Sequence, residues 1–159
     1  MIIKVDMADY KITNKPNNLT TLGLGSCVGI CFYDKLTGMI GMAHIMLPSV
    51  SSSSDVQNKA KFADTAIPAM LDDMIRMGAA KFNIVAKIAG GAQMFRFSEE
   101  TDLMKIGLRN VVAVKTMLSR LGIQVLAQDT GGEYGRTIEL RSEDGSLLVK
   151  TVGRDSKII

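Results

Sequence analysis

The chain has no tryptophan, one histidine, two cysteines and three prolines in 159 residues, and only 5% of it is aromatic. Each shortage excludes something. A single histidine, His44, removes the HExxH zinc proteases and the three-histidine zinc sites, which need more imidazoles. Two cysteines, Cys27 and Cys31, cannot staple a disulfide-rich secreted scaffold. So few aromatics leave no stacking platform for single-stranded nucleic acid. The excess of 19 Lys+Arg over 16 Asp+Glu is small and spread along the chain. No basic run marks a nucleic-acid footprint, and no nucleic-acid partner is expected. Long apolar runs are missing too. The uncharged stretch Pro16 to Tyr33 holds three glycines and several polar residues, so no transmembrane segment is predicted. The first ten residues include acidic side chains and lack the charged-then-apolar pattern of a signal peptide. A soluble, reduced, cytoplasmic protein is expected.

What is present suits a globular domain. The chain is 47% hydrophobic and 22% charged. At this length one domain, 1–159, buries about 68–70% of the surface of its unfolded chain and needs neither disulfide nor structural metal. Residues 2–12 predict one or two short strands, and Asn14 to Asn18 a turn around Pro16. From Thr20 to Tyr33 the sequence alternates. Even positions carry Leu22, Leu24, Val28, Ile30 and Phe32, and odd positions carry Thr21, Gly23, Gly25, Cys27, Gly29 and Cys31. Period two argues for one strand with a bare face, and glycine in a strand marks a close approach of a ligand or another backbone. Asp34 to Gly38 predicts a turn and Met39 to Leu47 a second apolar strand. Ser49 to Asn58 is a polar loop.

An apolar stripe of Ala63, Ala66, Ile67, Met70, Met74 and Met77 predicts a helix capped at Gly78. Pro68 either sits in the first turn of that helix, which then starts near Thr65, or kinks it. Phe82 to Ala89 predicts a strand ending in Gly90-Gly91, Asn110 to Leu121 a second helix, and Ile123 to Gln128 another strand ending near Gly131-Gly132. Helix, glycine, strand, Gly-Gly thus occurs twice. Arg136 to Arg141 and Ser146 to Val152 predict a final hairpin. Strands outnumber helices, and hairpins join several of them. The expected class is α/β, a layered sandwich with mixed β-sheet and two main helices.

Three features bear on chemistry. Gly23 and Gly25 resemble part of a dinucleotide loop, but position 28 is Val and no helix follows, so nucleotide binding is excluded. Cys27 and Cys31 in one strand would lie about 13 Å apart, too far for a disulfide, which needs about 4.4–6.8 Å. Cys31 reads as a small core residue. Cys27 has a different neighbour. If Tyr33 pairs with Gly38 across the turn, opposed residues sum to 71, and Cys27 faces His44. Their Cβ atoms would then be about 4.5–5.5 Å apart, and sulfur and ring nitrogen about 3–4 Å. An imidazole beside a thiol makes a nucleophile and an acid–base pair. The alternative is a hydrogen-bonded core histidine beside a buried small residue, and the residues alone leave both open. Met39, Met42 and Met46 flank this place and would line an adaptable pocket.

The segments Gly23-Leu24-Gly25-Ser26-Cys27-Val28 and Ala43-His44-Ile45-Met46-Leu47-Pro48 together resemble CheD, the chemoreceptor glutamine deamidase family. Phe62 to Ala66, Lys87 to Phe95, Ile106-Gly107 with Arg109-Asn110-Val111, and Asp129 to Gly132 with Gly135-Arg136 fit the same family, so the resemblance spans roughly residues 15–153. It implies a cysteine-dependent amidohydrolase, a protein-glutamine glutaminase. Such an enzyme converts glutamines of methyl-accepting chemotaxis receptors to glutamate, with no cofactor and no metal. It implies a Cys–His–Thr triad of Cys27, His44 and Thr21, a thioester intermediate, a layered fold like that of the deamidating necrotizing toxins, and the phosphatase CheC as a partner. Local geometry nominates the backbone N–H groups of Ser26 and Cys27 as an oxyanion hole. Gln93 and Phe95, after a predicted strand, are the expected substrate- or partner-binding residues. Two other readings stand beside this one: a non-enzymatic adaptor that binds CheC and receptors, and a general cysteine acyltransferase or thioesterase.

Overall fold

Alternation does make strands on both sides of Gly25, but they are two strands in two different sheets. The computed structural model describes residues 1–50, 58–94 and 105–159. Its strands are β1 (Ile2–Lys4), β2 (Asp9–Thr13), β3 (Asn18–Leu24), β4 (Val28–Asp34), β5 (Ile40–Ile45), β6 (Ile84–Gly90), β7 (Gln124–Thr130), β8 (Arg136–Leu140), β9 (Leu147–Lys150) and β10 (Lys157–Ile158). The helices are α1 (Ala63–Arg76) and α2 (Ile106–Arg120). One sheet has the order β1-β3-β8-β9-β10, the other β2-β5-β4-β6-β7. Both are mixed: β1 runs parallel to β3 and β6 parallel to β7, while the remaining pairs are antiparallel.

The second sheet is the middle layer, and strand parity divides it. Val28, Ile30 and Phe32 of β4, with Ala43 and Ile45 of β5, face α1 and α2 in one core. Cys31, Ile40 and Met42 face the first sheet, where Leu19, Leu24, Ile138, Leu140, Leu147 and Val149 meet them in a second core. The expected layered α/β sandwich is therefore a sheet, a sheet and a helix layer. Close approach is written into the small residues. A Cβ on Gly41 would lie 2.9 Å from the sulfur of Met74, and one on Gly29 would lie 2.7 Å from Cδ1 of Ile138. These glycines admit a helix on one side and a sheet on the other.

Several expectations shift in register. The alternating segment breaks because a bulge between Thr21 and Leu24 reverses the parity of β3. Leu22, expected on the apolar face, is half exposed, and Thr21 is fully buried. The β4–β5 hairpin is longer than predicted, since Tyr33 pairs with Ile40 rather than Gly38. The cause is Asp34. Its buried carboxylate accepts the N–H groups of Leu36, Thr37 and Ala80, and the Gly38 N–H closes onto the Asp34 carbonyl. That wide loop needs the residues through Met39. Helix α1 starts at Ala63, and Pro68 sits inside it. The lost bond is confined to the carbonyl of Asp64 in the first turn. Helix α2 begins at Ile106, a turn before the expected Asn110. The repeated helix–strand pattern corresponds to α1–β6 and α2–β7, whose strands lie side by side in one sheet.

Candidate active site

Cys27 sits one residue before β4, in the three-residue crossing from the first sheet to the second. The carbonyls of this crossing are all held. Gly25 accepts the Ala92 N–H at 2.8 Å, Cys27 accepts the Gly91 N–H at 2.8 Å, and Ser26 accepts the side-chain amide of Asn110 at 2.9 Å. Because a trans peptide sets its N–H opposite its C=O, anchoring the Gly25 and Ser26 carbonyls also fixes where the Ser26 and Cys27 N–H groups point. Those two are the donors nominated for the oxyanion hole.

His44 lies on β5, directly across from Gly29. Opposed residues sum to 73, not 71, so Cys27 is two positions from the expected pairing and outside the ladder. A shift of two preserves the face. Even-numbered residues of β5 and odd-numbered residues of β4 point between the sheets, and Cys27 and His44 are both buried there, at 8% and 1% exposure. The expected thiol–imidazole hydrogen bond is not formed. His44 Nε2 is buried with no hydrogen-bond partner among the described residues.

Thr21 reaches His44 from the opposite sheet. Its Oγ1 is 2.7 Å from His44 Nδ1 and 2.7 Å from the Val5 carbonyl oxygen. The sequence placed Thr21 and Cys27 on one face of one strand. Thr21 instead sits in the first sheet and Cys27 in the crossing, and His44, on the second sheet, is hydrogen-bonded to Thr21. The hydrogen balance is informative. The Val5 carbonyl only accepts, so Thr21 donates its one proton there. Thr21 then accepts from Nδ1–H, and the lone pair of a neutral ring is on Nε2. Burial pushes the His44 pKa below its ordinary 6.5, which favours that neutral ring. Burial also raises the Cys27 thiol above 9.0, opposed by its own backbone N–H. Thiol and imidazole therefore rest uncharged.

Cys31 is placed otherwise. It is 1% exposed, and burial pushes its pKa up to about 12 although Lys87 draws it down. It lines a cavity of about 180 Å³ with Tyr33 and Lys87 at the far end of β4, away from Cys27. Met39 packs into the helix-side core rather than the site, while Met42 and Met46 lie on the inter-sheet side. Gln93 is exposed, its N–H bonded to the Gly132 carbonyl, beside a cavity of about 250 Å³ that Leu108 and Gly91 also line. Phe95 and Ser51 to Ser54 lie outside the described residues.

The sequence reading missed the side chain that holds the crossing and the carbonyl that takes the Thr21 proton. Asn110 could have been found: it interrupts the buried α2 stripe of Gly107, Val111, Val114 and Leu118 with an amide. Val5 could not, because it acts through its main chain. No group of three or more His, Cys, Asp or Glu side chains that could hold a metal ion occurs among the described residues.

The family model for CheD chemotactic sensory transduction matches residues 46–151, well over half of the chain. The chain belongs to the CheD family. A relative from Caldanaerobacter subterraneus, named probable chemoreceptor glutamine deamidase CheD, is 53% identical over 99% of this chain and 98% of its own. The Bacillus subtilis CheD, named chemoreceptor glutamine deamidase, is 46% identical over 100% of this chain and 96% of its own. A crystal structure of the hypothetical protein YfiH of Bacillus licheniformis is similar over 82% of this chain and 59% of its own, at 17% identity and TM-score 0.49. Among the described residues no helix is long and apolar enough to cross a membrane.

Proposed function

We propose that the chain hydrolyses glutamine side chains of methyl-accepting chemotaxis receptors to glutamate, with Cys27 as nucleophile, His44 as base and Thr21 as its orienting partner. The observation that carries this reading is the free Nε2 of His44, held in its basic tautomer by Thr21, on the same inter-sheet face as Cys27. The CheD relatives, named for chemoreceptor glutamine deamidation, support the substrate class.

The steps follow from the resting state. His44 Nε2 takes the thiol proton, and the thiolate attacks the carboxamide carbon. Negative charge builds on the carboxamide oxygen, where the Ser26 and Cys27 N–H groups would meet it. His44 returns the proton to the departing nitrogen, and ammonia leaves a thioester on Cys27. Water, deprotonated by the same nitrogen, then releases glutamate and the thiol. Burial makes this order reasonable: neither partner is charged until substrate arrives. CheC would compete for the face that carries Gln93.

Ammonia release from a receptor cytoplasmic fragment tests the proposal. The intact protein should release it, Cys31→Ala should release it at a similar rate, and Cys27→Ala should release none. Equal activity in folded Cys27→Ala would remove Cys27 as the nucleophile, and no release by the intact protein would leave only the adaptor reading. Hydrolysis of model thioesters with no action on amides would favour the thioesterase.

A further inference from the structure

Asn110 is fully buried in α2, yet its side chain contacts the site from behind. Its Nδ2 donates to the Ser26 carbonyl at 2.9 Å and to the Met46 carbonyl at 3.0 Å. The amide orientation is unambiguous, because a flipped group would set Oδ1 against two carbonyl oxygens. Both N–H bonds are thus spent, and Oδ1 has no partner among the described residues. A buried amide with an orphaned oxygen is a poor way to fill a core position, since an apolar side chain would leave nothing unpaired. Its two acceptors explain it. Ser26 precedes the nucleophile, and Met46 lies two residues beyond His44.

We propose that Asn110 is a positioning residue for the deamidation reaction. It orients the Ser26–Cys27 peptide, and so the Cys27 N–H, while fixing that peptide to the strand that carries His44. This rests on the deamidase reading for its chemistry. It predicts a transition-state effect: an oxyanion donor out of line weakens stabilisation of developing charge and leaves ground-state binding alone. A residue that merely fills the core would show no such split.

Steady-state kinetics on a receptor fragment separates the two. Asn110→Ala and the near-isosteric Asn110→Asp, which removes both donors, should lower kcat by at least about tenfold with KM within about twofold. Val114→Ala, one turn along the same buried stripe, should destabilise the fold and leave both constants within about twofold. Wild-type kcat in either folded Asn110 variant, or an equal kcat loss in Val114→Ala, would overturn the proposal. If neither Asn110 variant folds, the unmodified protein decides. Alkylating Cys27 with iodoacetamide should move the Asn110 side-chain amide resonances in an NMR spectrum, and unmoved resonances would refute the coupling. If the unmodified protein releases no ammonia, the deamidase reading fails, while the alkylation result still judges whether Asn110 holds the Cys27 peptide.

Discussion

Thr21 spends its only proton on the Val5 carbonyl, and this choice reaches His44 two bonds away. Were Thr21 to donate to the ring, Nδ1 would be the lone-pair nitrogen and Nε2 would carry hydrogen, useless as a base. The arrangement predicts that Thr21→Ala lowers kcat about 10- to 100-fold, because the ring loses its orientation but not its chemistry. Thr21→Ser, which keeps the hydroxyl, should restore most of it, and His44→Ala should be far worse than either. Steady-state assays on folded variants rank the three. The buried ring also fixes the pH response. The proposed base acts when deprotonated, and burial lowers its pKa, so activity falls only as pH drops below the ordinary 6.5. A pH profile of kcat/KM should have its acid limb below 6.5. An acid limb above that value would mean that His44 gains charge stabilisation the buried ring does not provide.

The elements around Cys27 are held close by glycines of β6 and the turn after it. Gly90 has φ +112, and a Cβ there would overlap the Cys27 carbonyl oxygen. Backbone cannot yield as a side-chain tip does. Gly90→Ala should therefore cost at least about 2 kcal/mol by denaturant unfolding, combining strain at positive φ with that overlap, and should depress activity beyond the stability loss. Gly122→Ala is the contrast: its φ of +72 strains a Cβ that meets nothing, so activity should persist. These same elements show what could be read from the sequence. The apolar periods of β4, β5, β6, α1 and the final hairpin were legible because burial selects side chains at fixed spacing. The Thr20–Tyr33 break was not, because a bulge and a change of sheet follow from backbone geometry that alternation does not encode. The hairpin register slipped by two because Asp34 uses its carboxylate to widen the turn. Register nominates Cys27 and His44 and the family resemblance nominates Thr21, but the single strand face that alternation gives to Thr21 and Cys27 does not exist. A contact made across two sheets has no spacing signature.

At the scale of the whole molecule, the site depends on two sheets staying in register. Thr21 comes from one, His44 from the other, and Cys27 from the crossing between them. A buried ion pair ties the same sheets nearby. Arg136 of β8 places Nε 3.4 Å from Asp129 Oδ2, donates from Nη2 to Asp129 Oδ1 at 3.5 Å, and donates from Nη1 to the Gly90 carbonyl at 3.4 Å. The Arg136 side chain is wholly buried. Asp129→Ala would leave that guanidinium without its carboxylate and should cost about 3–5 kcal/mol. Lys157, the more exposed partner of Asp129, should cost under about 1 kcal/mol when replaced by Ala. Chemical denaturation of both variants checks the difference, and similar small losses would mean the pair does not join the layers. The central claim is that this sandwich exists to carry one nucleophile against glutamine side chains. Mass spectrometry of a chemoreceptor cytoplasmic fragment, incubated with the intact protein or with Cys27→Ala, tests it most directly. The account predicts glutamine-to-glutamate conversion at discrete receptor positions with the intact protein and none with the folded variant. Conversion at the same positions by Cys27→Ala, or no conversion by either, would contradict it.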